Sequence, residues 1–508
     1  MTLEGSRRWL NWPLGLLLTL CIARFWLLPL NTSFWVDETV TAFVVRQGGD
    51  HPSLSIAPQV PQSIYYALPA AVQSEAGFSE AGYRLPSVLA MAVALFFCAR
   101  IGMRLIHPDC GWLIVLSSFL LRGFSDAATD ARPYAFGLCV ASLSVWSLIR
   151  WLDRAAWLDA ALFLGSAALL WRTHLVYWPF YLVFAFYTAA RLWRRDTPVR
   201  WIPACSLFGI LGLLLAPVAM SALALAREAQ AHVVQPPPGF RQLQYALKFG
   251  LLVSTLPAAW LLSRILRRKP VSLRLTTAVL LLGWWFVHPV ALFAYSVGTG
   301  NSVFLPRYLS LAWPGILLGT AFLLARYLPS SFWRPLALLV GLWALAQSLR
   351  LSPDAPAHGS DWRGAAQAIA ALHDPEVPVI CPSPFVEAKA PVWRPGYEMP
   401  GFLYAHLATY PVAGRPLLLP YEPSEEGQRY ARDLSSTLLP RAGRFVIYGG
   451  DLNVRFWQHW FSQRPELSGW KVRRLGSFGD VEAVYFEKAQ GTAPMPGRVS
   501  LLSPSAYR

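Results

Sequence analysis

Long apolar runs separated by short polar connections make up the first two thirds of the chain. Because one helix needs about 20 apolar residues to cross the hydrocarbon core of a bilayer, this pattern predicts a polytopic α-helical membrane protein with about eleven crossings. The candidate runs lie near 10–30, 83–106, 110–124, 133–151, 156–171, 174–192, 201–224, 246–264, 274–297, 305–326 and 332–350.

The pattern changes after residue 351, where Pro-rich sequence of mixed charge replaces the apolar runs. Short runs typical of strands alternate there with amphipathic stretches, which predicts a small α/β domain with its own core. The strand-like runs are 378–381, 444–448 and 482–486, and the amphipathic stretches are 362–372 and 428–438. The predicted domains are therefore a membrane domain over 1–354, an α/β domain over 355–490 and a tail over 491–508.

Composition supports the membrane assignment. Of the 508 residues 55% are hydrophobic and 14% are charged, and this balance excludes an ordinary soluble enzyme. Six cysteines, mostly within apolar runs, are too few for a disulfide framework.

The net charge of +16 lies almost entirely in residues 1–354, which hold 28 Lys and Arg against 14 Asp and Glu. The basic excess thus belongs to the part that meets the lipid bilayer, and we expect no nucleic-acid partner.

The distribution of basic residues predicts the orientation. Alternate connections carry seventeen Lys and Arg on one side of the membrane and nine on the other. The positive-inside rule then places the amino terminus in the cytoplasm, and eleven crossings place the α/β domain outside it.

Arg7 and Arg8 precede the first run as in a signal peptide, but that run is long and lacks a small-residue cleavage site. We expect it to be retained as a helix.

Two adjacent carboxylates, Asp37 and Glu38, follow the first apolar run and open a polar loop over 31–82. A connection of this length usually has a function. Neighbouring side chains diverge by about 100° on a helix, so the two should have separate roles, one accepting a proton and the other holding a cation or an arginine. The alternative is that Asp37 caps a helix beginning at Glu38 and that Glu38 stabilises its first turn.

A second polar group, Asp130-Ala131-Arg132-Pro133-Tyr134, precedes the fourth run. Pro133 is suited to the first turn of a helix. The group could therefore be a helix cap with interfacial anchors, since Arg and Tyr commonly lie at a membrane edge.

More polar residues lie at the outer ends of other runs, and one lies inside the first run. They are Arg84, Arg172, His174, Arg307 with Tyr308, and Arg24. A charge at membrane depth is costly and usually has a partner or a function, although Arg84 and Arg172 could extend to the interface. Guanidinium groups match phosphate oxygens in a bidentate geometry, so these positions predict a site for a lipid phosphate.

The chain lacks the sequence motifs that bind soluble nucleotides and those that are typical of metalloenzymes. No His-Glu-x-x-His, no Gly-x-Gly-x-x-Gly and no Walker-type loop occurs in it. Binding of a soluble nucleotide sugar or of ATP is therefore unsupported, and the energy of a reaction must come with the substrate.

The ordered set of motifs resembles the polytopic GT-C glycosyltransferases, in particular the bacterial RgtA/B/C/D-like transferases related to protein O-mannosyltransferases and to lipid A aminoarabinose transferases. The resemblance covers about residues 1–350, and Asp361-Trp362-Arg363 matches a frequent start of the family's outer domain. The motifs are Arg24, Ser33-Phe34-Trp35-Val36-Asp37-Glu38, Arg84-Leu85-Pro86-Ser87, Asp130-Ala131-Arg132-Pro133-Tyr134, Thr173-His174 and Arg307-Tyr308.

The resemblance implies an inverting transfer of a sugar from a polyprenyl-phosphate donor to a lipid, glycan or protein acceptor. The reaction would take place on the outer face of the bacterial inner membrane. By the same resemblance Asp37 is the base, and Glu38 and Asp130 orient arginines or the acceptor. The donor phosphate or sugar would be bound by Arg24, Arg84, Arg132, His174, Arg307 and Tyr308. A divalent cation is left open, with Asp37, Glu38, Asp130 and His174 as its candidate ligands.

Two other readings remain open. A lipid-linked glycan ligase or polymerase would share most of these features. A lipid or solute transporter is less favoured, because the sequence has no internal repeat and its ionisable residues collect at one face of the membrane and not at the midplane.

Overall fold

The structure, a computed structural model, describes residues 10–48, 63–228, 236–267, 270–350 and 358–489. The chain forms two compact units. The first comprises Met1–Trp362 with Met399–Thr409, and the second comprises Arg363–Glu398 with Tyr410–Arg508. The predicted tail over 491–508 and the central part of the loop over 31–82 lie outside the described residues.

The first unit is helical. Its helices are α1 Asn11–Ile22, α2 Val36–Gln47, α3 Ala67–Ala76, α4 Glu80–Leu105, α5 Cys110–Ser118, α6 Arg122–Ala128, α7 Tyr134–Arg154, α8 Trp157–Thr173, α9 Tyr181–Arg194, α10 Trp201–Glu228, α11 Phe240–Ala246, α12 Phe249–Ile265, α13 Leu275–Thr299, α14 Ala312–Ala325 and α15 Trp333–Ser348, joined by the short helix Ala405–Thr409. Short 3-10 helices at Ile64–Tyr66, Leu175–Phe180 and Pro306–Leu309 connect some of them.

Each of the eleven apolar runs lies on a helix in the described part of the chain. Six helical segments there are long and apolar enough to cross a membrane alone, and up to eight are if α5 with α6 and α11 with α12 each form one bent span. Helix α14 is apolar but shorter. The protein is therefore a polytopic helical membrane protein, as the hydrophobic pattern predicts.

Close packing of α13 against α14 fixes the region that precedes α14. Trp284 and Trp285 are completely buried. A Cβ atom added at Gly315 would lie 2.4 Å from the backbone nitrogen of Trp285, so the two helices touch backbone to backbone at this glycine. Arg307, a predicted site residue, lies in the turn that leads into α14.

The second unit is an α/β domain. Its described strands form a mixed sheet in the order β2-β1-β3-β5-β4, in which β1 pairs parallel with β2 and β3, and β5 pairs antiparallel with β3 and β4. The strands are β1 Pro378–Pro382, β2 Arg415–Leu419, β3 Arg444–Gly450, β4 Lys471–Arg474 and β5 Val481–Glu487. The helices are Trp362–Ala370, Glu425–Ser436, Leu438–Ala442 and Asp451–Ser462. The predicted α/β class of this domain is confirmed, including the three strand-like runs and both amphipathic stretches.

Candidate active site

The start of α2 is set by Glu38. The Trp35 carbonyl accepts hydrogen bonds from the amides of Glu38 and Thr39, and the Glu38 carboxylate accepts one from the Trp35 amide at 3.3 Å. This reciprocal arrangement satisfies donors that a helix terminus otherwise leaves unpaired. The helix begins at Val36, so Asp37 lies in its first turn and does not cap it.

Glu38 is buried and forms an ion pair with Arg84 of α4. Its Oε1 accepts from Arg84 Nε at 2.7 Å and from the amide of Ala131 at 2.7 Å, and its Oε2 accepts from Arg84 Nη2. One carboxylate thus joins α2, α4 and the segment before α7. Because both of its oxygens are occupied, it is a structural link between three elements.

Arg84 is fully buried, in contrast to the alternative that it extends to the interface. Its Nη1 donates to the backbone oxygens of Leu30 and Thr32 at 3.0 and 2.7 Å, and its Nη2 donates to that of Ser33 at 3.1 Å. Each guanidinium nitrogen therefore donates within the protein. Its predicted contact with the donor phosphate stays a prediction.

Asp37 has a different environment from its neighbour Glu38. Its side chain is 19% exposed, and its Oδ2 lies 3.4 Å from Nη2 of Arg307, whose side chain is 39% exposed. The opposite charges of the two side chains stabilise each other, so the guanidinium of Arg307 stays charged. The pair forms an accessible carboxylate beside an accessible cation.

Arg132 approaches the same residue from the segment before α7. Its Nη1 donates to the backbone oxygen of Asp37 at 3.3 Å and to the hydroxyl of Tyr66 at 2.9 Å. Burial acts to lower the pKa of Arg132, but Tyr66 and Asp37 raise it and the net shift is upward. Two guanidinium groups, those of Arg132 and Arg307, therefore flank Asp37.

Asp130 is buried and accepts a hydrogen bond from Nε1 of Trp35 at 3.1 Å. Burial raises the pKa of Asp130 well above its ordinary range, and the charge of Glu38 raises it further. The ring of Trp35 also stacks on that of His358, with centroids 5.0 Å apart, and the guanidinium of Arg307 lies 5.4 Å from its centre. Trp35 therefore positions both Asp130 and Arg307.

His174 lies among aromatic rings at the end of α8. Its ring centroid is 5.0 Å from that of Tyr308 and 5.8 Å from that of Tyr134. Its Nδ1 accepts a hydrogen bond from the amide of Val176 at 3.4 Å, and a ring nitrogen that accepts carries no proton. The imidazole is therefore neutral at physiological pH and can hydrogen-bond a sugar, but it adds no positive charge for a phosphate.

Four buried polar atoms in this region have no hydrogen-bond partner among the residues that the structure describes. They are Arg132 Nε, Tyr134 Oη, Arg307 Nε and His358 Nε2. Buried polar groups in proteins are nearly always satisfied. Three of the four are N–H or O–H donors, which is the arrangement expected where an anion or a hydroxylated ligand binds.

Arg24 contacts a different part of the chain from the other predicted site residues. It lies in a π-helical turn over Ala23–Leu27, after α1, and its Nη2 donates to the backbone oxygen of Ser348 at the end of α15 at 2.9 Å. Its predicted contact with the donor stays a prediction.

The candidate metal ligands do not fit a cation site. In the described ranges no group of three or more His, Cys, Asp or Glu side chains is arranged to hold a metal ion. Both oxygens of Glu38 are taken by Arg84 and backbone amides, and Asp37 faces a guanidinium.

Sequence reasoning missed several residues of this site. From the sequence alone, Trp35 and Tyr66 are indistinguishable from the aromatic residues that are common at membrane edges, and Tyr134 is one residue of a motif with no role of its own. His358 lies three residues before Asp361-Trp362-Arg363, but nothing in the local sequence indicates that it contacts Trp35.

Comparison with known proteins locates the fold. No protein-family model matches the chain, and no curated protein matches it. The crystal structure of ArnT from Cupriavidus metallidurans bound to undecaprenyl phosphate aligns with a TM-score of 0.53 at 12% identity, covering 98% of this chain and 100% of that chain. The apo structure of ArnT from the same organism aligns with a TM-score of 0.55 at 11% identity, covering 95% and 98%. The chain therefore shares the fold of ArnT over nearly its full length, and the predicted architecture, a helical membrane protein with a carboxy-terminal α/β domain, is confirmed.

Proposed function

We propose that this protein is an inverting glycosyltransferase that moves a sugar from a polyprenyl-phosphate carrier to an acceptor hydroxyl, on the outer face of a bacterial inner membrane. The observation that supports this best is the environment of Asp37. One partly exposed carboxylate lies 3.4 Å from Arg307 and receives Arg132 on its backbone oxygen. A base is thereby placed beside two cations.

Asp37 is the proposed base. Its carboxylate takes the proton of the acceptor hydroxyl while the acceptor oxygen attacks the anomeric carbon from the face opposite the phosphate. The bond between the anomeric carbon and the phosphate oxygen breaks, and its electron pair remains on the phosphate. Because a phosphate is a weakly basic leaving group, no general acid is needed.

Arg307 and Arg132 are the proposed ligands of the donor phosphate. Each has a buried Nε–H without a partner in the described chain, and Tyr134 adds an unpaired hydroxyl. Donors fixed before the reaction stabilise the charge that develops on the leaving phosphate. The loss of one such donor typically costs about 3 kcal/mol of barrier, or roughly a hundredfold in rate.

The remaining site residues fall into two proposed roles. Glu38 and Arg84 position the loop that carries Asp37, because their polar atoms are occupied by each other and by backbone groups. Asp130 holds Trp35, and the neutral His174 contacts the sugar beside Tyr308. The ArnT complex with undecaprenyl phosphate supports a polyprenyl carrier, and the acceptor is a lipid, a glycan or a protein.

The test is mass spectrometry of lipids that co-purify with the detergent-extracted protein. Asp37→Asn should still bind the donor but turn it over slowly, so a polyprenyl-phosphate monosaccharide should be enriched over wild type. This lipid would also identify the sugar. Arg307→Ala, combined with Asp37→Asn, should lose the enrichment because the phosphate loses a ligand.

Asp126→Asn is the matched control, since it makes the same change in a carboxylate that pairs with Arg122 on α6. It should show the wild-type lipid profile. A polyprenyl-diphosphate oligosaccharide in Asp37→Asn would instead identify a glycan ligase or polymerase. Bulk phospholipid alone from all variants would contradict the proposal.

A further inference from the structure

Three side chains of α13 hold the backbone of the segment that enters α14. Trp284 and His288 are four residues apart and share a face of the helix, and Ser296 lies eight residues further along. All three are completely buried. Trp284 Nε1 donates to the backbone oxygen of Leu311 at 2.7 Å, and Ser296 Oγ accepts from the amide of Val303 at 3.0 Å.

His288 makes the contact nearest to the active site. Its Nε2 lies 2.9 Å from the backbone oxygen of Tyr308, inside the turn Pro306–Leu309 that carries Arg307. A carbonyl oxygen can only accept, so Nε2 bears the proton. Among the side-chain hydrogen bonds of the described residues, this is the one that reaches the turn from α13.

Packing alone does not explain a histidine at this position. The imidazole is completely buried, and its Nδ1 has no hydrogen-bond partner in the described part of the chain. Burying a polar group costs free energy that one hydrogen bond only partly offsets. A leucine would fill the space without that cost, which indicates that the bond to Tyr308 has a separate use.

Neighbouring contacts restrain the turn, so the hydrogen bond from His288 can fix its orientation. The hydroxyl of Ser310 lies 3.1 Å from that of Tyr177, and the tight contact at Gly315 fixes α14 on α13. Arg307 extends from the turn on a long side chain, so a small rotation of the turn moves its guanidinium by a larger distance. Displacements of about 1 Å can cost a hundredfold in an active site.

We propose that His288 is a positioning residue, which holds the Pro306–Leu309 turn by its Nε2–H so that the guanidinium of Arg307 faces Asp37 and the donor phosphate. This inference rests on the proposed function, in which Arg307 binds that phosphate. His288 itself contacts neither the donor nor the acceptor.

The experiment is a titration of the full-length protein in detergent with undecaprenyl phosphate, followed by native mass spectrometry. His288→Leu should weaken binding about tenfold, the effect expected for one hydrogen bond. His288→Gln should rescue it to near wild type, because the glutamine amide nitrogen reaches the position of Nε2. His288→Asn, which is too short, should behave like His288→Leu. Ser296→Ala, which releases the segment at Val303 and not at the turn, should change affinity less than about twofold.

The double variant separates positioning from general support of the fold. In an Arg307→Ala background, His288→Leu should have no further effect on binding, because the group that it positions is absent. An equal loss in both backgrounds would overturn the inference, and so would wild-type affinity in every His288 variant while Arg307→Ala is weakened. If Arg307→Ala itself binds like wild type, the phosphate assignment fails and this inference fails with it. Should His288→Leu not fold, the comparison of Gln with Asn gives the answer.

Discussion

Asp37 and Glu38 are adjacent in the sequence but have opposite environments. Glu38 is completely buried and accepts from Arg84 and from the amides of Ala131 and Trp35. Asp37 is 19% exposed, and its described side-chain contact is the 3.4 Å pair with Arg307. A helix rotates about 100° per residue, which is enough to turn one carboxylate into the protein and leave the other at the site. The role of each follows from that rotation.

The buried pair of Glu38 and Arg84 gives a prediction for stability. Replacing Glu38 by Gln leaves the Arg84 charge buried without a counterion, and breaking a pair of this kind costs about 3–5 kcal/mol. Glu38→Gln should therefore lower the thermal unfolding temperature in detergent much more than Asp37→Asn does. Glu38→Gln with Arg84→Met should lose less than the sum of the single variants. Additive losses would show that the two side chains are not coupled.

Asp130 gives a prediction for pH. Burial and the charge of Glu38 raise the pKa of Asp130 in the folded protein, whereas an aspartate in the unfolded chain has a pKa of about 3.9. The folded state then binds more protons above that pH, so this group's contribution to stability falls as pH rises from about 4 to the folded pKa. Asp130→Asn, which keeps an acceptor for Trp35, should remove this fall and raise the unfolding temperature at neutral pH. Parallel curves for wild type and variant between pH 4 and 8 would contradict the shifted pKa.

At the scale of the elements, the crossing of α13 over α14 depends on Gly315. A methyl group there would lie 2.4 Å from the backbone nitrogen of Trp285 and 2.6 Å from the carbonyl carbon of Trp284, both in α13. Backbone atoms cannot move aside as a flexible side chain can. The helices would have to separate, and Trp284 and His288 would lose their contacts with the following segment.

Gly315→Ala should therefore destabilise the protein and weaken undecaprenyl phosphate binding together, because both depend on this crossing. Overpacking of a close-packed contact typically costs about 1–3 kcal/mol. Gly165→Ala in α8 is the matched control, since no atom lies within 4 Å of the added carbon. Its better helix propensity should leave stability unchanged or raise it by up to about 1 kcal/mol. Equal behaviour of the two variants would mean that the helices adjust freely at Gly315.

The sequence predicts the elements better than the site. Apolar runs mark every long helix because lipid and core both require apolar side chains, and short buried apolar runs mark β1, β3 and β5. No such run marks β4, all of whose residues are exposed, and β2 begins with two exposed residues. The site brings together residues such as Trp35, Tyr66 and His358 from distant positions along the chain. Their contacts depend on how the helices pack, which no local pattern records.

At the scale of the whole molecule, the orientation depends on the number of crossings after α9. Five apolar runs follow it, and they include helices of unequal length. α10 and α13 can each cross alone, and α11 with α12 form a bent pair. α14 has 14 residues and α15 has 16, so at 1.5 Å per residue they are about 21 and 24 Å long, shorter than a hydrocarbon core of about 30 Å. Flanking turns such as Pro306–Leu309 must complete those two crossings.

Thiol labelling tests this count. Arg194, the last residue of α9, lies on the basic side that we expect to be cytoplasmic, and Lys471 is an exposed residue of β4. In a Cys205→Ser background, which removes the exposed native thiol, a membrane-impermeant maleimide applied to spheroplasts should label Lys471→Cys but not Arg194→Cys. Lysis should allow both to react. The reverse pattern would invert the whole topology. If both positions or neither are labelled in intact spheroplasts, an even number of segments crosses the bilayer between residues 194 and 471. In that case α14 or α15 would be the segment that does not span the bilayer.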